Sequence, residues 1–228
     1  MRRIAVLPIV ALLALFTGSA LAANFADATQ VDLMKILPQP PADDSATTRD
    51  DLARVLAIQA SRTPLMVARA QGDAQGPSIF RLADVMGERF NADKLPKTAA
   101  LFAKIAADCG ALGAPARKAF NRKRPGQLSS DVKPVVAAAG PGYPGGHAIF
   151  ITVAAKVLTE MVPEKSAVIA VRAEDFDNNR VVGGAHYPGD EAAGRVVGEA
   201  VTKVMMANAA FKAEFDAAKA ELRAVLGH

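Results

Sequence analysis

Of the three histidines in this 228-residue sequence, two lie in glycine-rich turns directly ahead of apolar, helix-like runs. The first turn reads GPGYPGGH, Gly140 to His147, and the second reads NRVVGGAHYPGD, Asn179 to Asp190; the remaining histidine, His228, is the last residue. Asp190 follows His186 by four positions, with Pro188 placed to open a helix. In that first turn the carboxylate reaches back to one imidazole nitrogen, fixes the tautomer and leaves the other nitrogen unprotonated. Such a histidine is a nucleophile or a base. By itself the pair is equally an ordinary His/Asp contact at a helix start. At the other turn, Gly145 and Gly146 let backbone amides and a helix N-terminus cradle an anion, and His147 beside them can donate a proton to a leaving oxygen. Arg180 precedes His186 by six residues, and Arg117, Lys118, Arg122, Lys123 and Arg124 crowd one short stretch. Guanidinium forks match the equatorial oxygens of a phosphoryl group. Lys118, Arg122 and Lys123 read equally well as a solvated face. Together the two turns point to phosphate chemistry.

The positioning elements follow from periodicity. Apolar positions recur at helical spacing from Arg49 (Leu52, Val55, Leu56), around Ser78–Met86, and over Pro96–Asn121, where Gly110, Gly113 and Pro115 predict a break into two helices. Further helices are predicted from His147 to Met161, from Glu164 to about Asn178, from Pro188 through Val204, and from Ala210 to Leu226. LPQPP, Leu37–Pro41, reads as an extended strap over the domain. Alternation of period two is scarce, so the fold class is all-α, a compact single-domain helical bundle.

Arg2 and Arg3, the apolar run Ile4–Phe16 and Ala20-Leu21-Ala22 form a signal-peptide pattern over residues 1–22. The domain then runs from 23 to 228, and the expected location is periplasmic or secreted. No later apolar run is expected to form a stable membrane span. Without Arg2 and Arg3, 25 of the 27 basic residues remain against 23 acidic ones, which argues for no nucleic-acid partner. Cys109 is the only cysteine, so no intrachain disulfide can form, and it reads as a small core residue.

The basic stretch and the two turns, taken in order, resemble the three-part signature of the bacterial class A non-specific acid phosphatases. These belong to the type 2 phosphatidic acid phosphatase (PAP2) and vanadium haloperoxidase superfamily. The family pattern is K-x6-R-P, P-S-G-H and S-R-x5-H-x3-D; here it reads R-x6-R-P from Arg117 to Pro125, PGGH from Pro144 to His147, and NR-x5-H-x3-D from Asn179 to Asp190. The LPQPP strap, RVVGEAV (Arg195–Val201) and NAAF (Asn208–Phe211) extend the likeness over most of the mature chain. The resemblance implies a helical PAP2-type domain that hydrolyses small phosphomonoesters without metal or other cofactor, inhibited by phosphate or vanadate and forming dimers or larger assemblies. It implies His186 as nucleophile of a phosphohistidine intermediate, Asp190 as its orienting carboxylate and His147 as general acid. Arg117, Arg124, Arg180, Gly145 and Gly146 would bind the phosphoryl oxygens. Alternative outcomes are a lipid-phosphate or pyrophosphate phosphatase and a phosphate-binding member without turnover.

Three positions depart from the pattern. Arg117 replaces lysine, with Lys118 next to it as the other candidate; Asn179 replaces serine; Gly145 replaces the serine whose hydroxyl would bond the phosphate. Losing that donor would cost about 1.5–3 kcal/mol, so Gly145→Ser is expected to raise activity.

Overall fold

The computed structural model describes residues 24–228, so the signal-peptide pattern lies outside the described residues. Helices account for all the regular structure there, and no strand occurs among the described residues. In chain order they are α1 (Leu33–Ile36), α2 (Ala46–Ser61), α3 (Pro64–Asp73), α4 (Ala83–Met86), α5 (Pro96–Phe120), α6 (Pro125–Leu128), α7 (Gly146–Met161), α8 (Ser166–Val182), α9 (Pro188–Ala207) and α10 (Ala209–Leu226). One-turn 3-10 segments, Ile79–Leu82 and Pro163–Lys165, lead into α4 and α8.

The bundle is built around α7. Its sequence is apolar on nearly every face, and Ile149, Phe150, Val153, Ala154, Val157, Leu158 and Met161 are all buried. A helix apolar all round must be surrounded, and α5, α8 and α9 pack on it while α10 covers α5. The tightest of these contacts is with α9, where glycine is required twice. A Cβ on Gly194 would fall 2.5 Å from the Gly145 carbonyl oxygen and 2.6 Å from Ala148 Cβ, and one on Gly198 would fall 2.6 Å from Thr152 Cβ. Two glycines four apart thus let the backbones of α7 and α9 touch. This contact brings the starts of the two helices together, and with them the two histidine turns.

Two expectations change. Pro96–Phe120 is one 25-residue helix rather than two. Pro115 lacks the N–H that would bond residue 111, but Ala111, Ala114 and Pro115 all lie on the exposed side, where water can satisfy the freed carbonyl. The segment Pro96–Leu128 also has the length and hydropathy to cross a bilayer, contrary to the expectation of no such run; Leu101, Phe102, Ile105 and Leu112 are nonetheless buried in the core. Cys109 is buried there too, and burial pushes its thiol up to about 12.

The region before α2 is tied down rather than loose. Asp108 on α5 accepts the Phe25 amide at 2.8 Å, Phe25 packs edge-on against Phe211 of α10, and the Tyr143 hydroxyl donates to Pro38 O in the proline strap at 3.0 Å. That last bond joins the strap to the first histidine turn.

Candidate active site

His186 lies in the turn between α8 and α9. Gly184 has φ +73, a left-handed conformation that L side chains resist, and a Cβ there would stand only 3.2 Å from Pro134 Cα. Asp190, in the first turn of α9, folds back as its spacing implies. Its Oδ2 lies 3.3 Å from His186 Nδ1 and accepts the Tyr187 amide at 3.0 Å, while Oδ1 accepts Arg122 Nη1 at 2.7 Å. Burial alone would raise this carboxyl, but the hydrogen bond and charge of His186, the charge of Arg122 and the Tyr187 amide hold it below the usual range. Gly142 closes over the pair, since a Cβ there would stand 3.0 Å from Asp190 Oδ2.

The other imidazole nitrogen identifies the tautomer. Arg124 Nη1 lies 2.8 Å from His186 Nε2. A guanidinium can only donate, so Nε2 must accept, and the ring proton belongs on Nδ1 facing Asp190. Burial, then the charges of Arg124 and Arg180, outweigh Asp190 and depress His186 to about 4. Above that pH His186 is neutral, with a lone pair on Nε2.

Arg124 is tied to backbone: its donors also reach the carbonyls of Gly140 at 2.8 Å, Ala185 at 2.9 Å, and Ala139 and Pro141 at 3.2 Å. It clamps the two histidine turns together. Arg117 and Arg180 differ. Arg117 Nη1 and Arg180 Nε and Nη1 are buried without a hydrogen-bond partner, as is His147 Nε2. Arg117 comes off the last turn of α5 against the start of α7, its Nη1 3.2 Å from where a Gly146 Cβ would sit, whereas Lys118 is exposed. His147 is half-buried in the first turn of α7 and depressed to about 3, first by burial, then by the charges of Arg180, His186, Arg124 and Arg117. Three guanidinium groups therefore face one histidine across a helix N-terminus whose first amides have no intrahelical acceptor. This arrangement can hold a multiply charged anion against His186 Nε2.

Arg122 departs from its reading as a solvated side chain. It is 4 % exposed, bridges Asp190 to Asp51 of α2 (3.1 Å), and lies over the Tyr187 ring at 4.4 Å. Asn121 ends α5 in the left-handed conformation (φ 49), and the chain then runs extended into Pro125, so Arg122 and Arg124 turn inward and Lys123 outward. Asn179 is committed elsewhere, donating to Asp73 at 2.8 Å in a cluster with Arg172 that fastens α3 to α8.

Glu191 is a site residue that no motif in the sequence singles out. It is 1 % exposed, its Oε1 lies 3.3 Å from His186 Nδ1, and neither oxygen has a hydrogen-bond partner. Both oxygens stand 2.8 Å from where a Gly145 Cβ would be. The expected benefit of Gly145→Ser therefore meets an obstacle: the added carbon needs space that the Glu191 carboxyl fills.

Comparison with known proteins agrees with this geometry. Residues 97–213 match the PAP2 superfamily, a span from α5 into α10 that contains both histidine turns. A non-specific acid phosphatase of Salmonella typhimurium is 32% identical over 171 residues, 71% of this chain and 68% of that protein. Among solved structures, a transmembrane PAP2-type phosphatidylglycerolphosphate phosphatase from Bacillus subtilis superposes with a TM-score of 0.57 at 18% identity, covering 79% of this chain and 96% of that one. A bacterial vanadium-dependent iodoperoxidase gives 0.58 at 21% identity, over 76% of this chain and 52% of that one. These two share the fold. The all-helical domain, with His147 and His186 brought together by the α7–α9 contact, belongs to the PAP2 superfamily as an enzyme of the acid phosphatase kind.

Proposed function

We propose that this acid phosphatase hydrolyses small phosphomonoesters through a phosphohistidine on His186. The observation that carries the proposal is the state of the His186 ring: Nδ1 faces Asp190, and Nε2 accepts from Arg124 beside the unpartnered donors of Arg117 and Arg180. The phosphoryl group binds between these guanidinium groups and the α7 N-terminus, with the Gly146 amide among the donors. The Arg124 N–H on Nε2 shifts to a phosphoryl oxygen, the freed Nε2 lone pair attacks phosphorus in line with the ester oxygen, the P–O bond breaks, and Asp190 stabilises the imidazolium that forms. His147 delivers a proton to the leaving alkoxide. Water then attacks phosphorus while His147 takes up its proton, the N–P bond breaks with its electron pair returning to Nε2, and phosphate leaves.

The low proton affinity of His147 fits this order of events. Its acidity owes much to Arg180, Arg124 and Arg117. A phosphoryl dianion seated among them offsets that charge, so substrate binding raises His147 toward the pH at which it can act as an acid. Arginine supplies the positive charge at the phosphoryl oxygens, so the scheme calls on no metal or cofactor. Inhibition by phosphate and by vanadate follows from the same donors. Export to the periplasm or beyond, with cleavage after Ala22, belongs to this proposal on the strength of the basic start, the apolar run and Ala20-Leu21-Ala22.

Turnover of an aryl phosphate across pH, with and without chelator, tests the reading. His186→Ala must abolish turnover; full activity in that variant, or indifference to vanadate, would sink it. A lipid phosphate is the second substrate class, favoured by the fold shared with the phosphatidylglycerolphosphate phosphatase. Preference for a lipid phosphate in micelles over a soluble monoester would establish it instead.

A further inference from the structure

The carboxyl of Glu191 has no part in the scheme above, yet it is buried against the groups that would receive the anion. It sits one residue past Asp190 on α9, over the N-cap residue of α7, with Oε1 3.3 Å from His186 Nδ1 and both oxygens lacking a partner. Asp177 of α8 neighbours it. Asp177 Oδ1 is itself buried and unpartnered, while Oδ2 is held by Arg195, whose side chain is half exposed at the surface. The other charged groups around Glu191 are Arg180 from α8, Asp190 from α9 and Arg124 ahead of α6. None of these gives Glu191 a hydrogen bond. A buried carboxyl with no hydrogen-bond partner, set beside other acidic groups, ionises only at high cost, so Glu191 keeps its proton.

We propose that Glu191 is a further residue of the phosphate site, seated over Gly145 as a neutral acid whose O–H donates to the bound anion, and that its ionised form opposes anion binding. The proposal rests on the phosphatase reading for the location of the anion. The absent Cβ at Gly145 leaves the room that the carboxyl occupies. Burial, then the neighbouring Asp177 carboxyl, raise Glu191 well above the ordinary carboxylate range, with Arg180 only partly opposing. The donor is therefore present in acid and is lost as pH rises through the raised value, where a negative charge replaces it beside an anionic ligand. Phosphate binding in turn holds the proton on Glu191.

The test is binding of inorganic phosphate by calorimetry to wild type and to Glu191→Gln, from about pH 5 upward to about pH 8, all above the ordinary glutamate value. Glutamine keeps a donor and cannot ionise, and the ratio of the two dissociation constants cancels the titration of phosphate itself. That ratio, wild type over variant, should rise about tenfold or more with pH, as loss of one hydrogen bond to a charged group predicts. A ratio constant with pH would overturn the proposal. Asp177→Asn supplies a second reading that does not require Glu191→Gln to fold. With its partner's charge removed, Glu191 ionises at lower pH, and the loss of phosphate affinity should move to lower pH; no displacement would overturn the proposal. Aryl phosphate turnover measured alongside separates the two claims. No turnover with a rising ratio removes the catalytic reading alone, and turnover with a flat ratio removes the role of Glu191 alone.

Discussion

Arg122 offers the sharpest test of how the site is held. Its guanidinium bonds Asp190 at 2.7 Å and Asp51 at 3.1 Å, with Arg122 and Asp190 side chains almost fully buried and Asp51 nearly so. In Arg122→Met the stem volume is largely kept and the charge is removed. Two carboxylates then remain with little solvent, one of them the partner of His186. Breaking a buried pair by removing one member costs about 3–5 kcal/mol. For a domain of this size that is a fall in Tm of roughly 6–20 °C, within the stability expected of a single domain. The Asp190 carboxyl should also rise, because the charge of Arg122 is among the influences that lower it. A less ionised Asp190 supports the imidazolium less, and kcat/KM should fall by about tenfold or more, one decade for each 1.36 kcal/mol at the transition state. Thermal unfolding and turnover of an aryl phosphate, both followed across pH, are the assays. A Tm within about 2 °C of wild type together with unchanged kcat/KM would refute the buried-clamp reasoning.

Two further outcomes follow from the packing and the charges. Gly194→Ala puts a Cβ 2.5 Å from the Gly145 carbonyl oxygen and 2.6 Å from Ala148 Cβ, so α7 and α9 must separate. Overpacking costs about 1–3 kcal/mol, partly offset by the better helix propensity of alanine, and turnover should fall more than stability does because the two histidine turns move apart; normal turnover would show the contact to be dispensable. His147 and His186, lowered from 6.5 to about 3 and about 4, make the ligand-free protein lose stability in acid. Their contribution is complete above about pH 6.5 and disappears as pH falls through the folded values, at about 1.4 kcal/mol for each pH unit by which folding lowers a histidine. Urea midpoints of wild type should therefore drop between about pH 7 and about pH 4.5 more steeply than those of His147→Gln; parallel curves would contradict the burial of a neutral His147.

The two histidine turns were legible because their chemistry is local. Glycine, proline, histidine and aspartate at fixed offsets specify a turn, a helix start and a carboxylate within reach, and the structure places Asp190 against His186 accordingly. The central helix α7 was legible because its apolar run is unbroken. Elements governed by distant partners were harder to read. Helix α3 has weak periodicity, with Leu65 77% exposed and only Ala70 and Asp73 buried, and it is held by Asp73 binding Arg172 and Asn179 of α8. A break near Pro115 was the local expectation, but exposure of that face lets the helix continue. The inward turn of Arg122 and the burial of Glu191 depend on how α2, α8 and α9 meet. Residue type and spacing carry no trace of that for a charged side chain.

The central claim is that His186 carries the phosphoryl group. Mixing enzyme with excess aryl phosphate and quenching in alkali, where phosphohistidine survives, should yield a chain bearing one phosphoryl group on His186 by mass spectrometry. The label should be absent from His186→Ala and should accumulate when the proton transfers of His147 are removed in His147→Ala with an activated leaving group. Rapid turnover with no labelled chain, or a label on any other residue, would contradict the account.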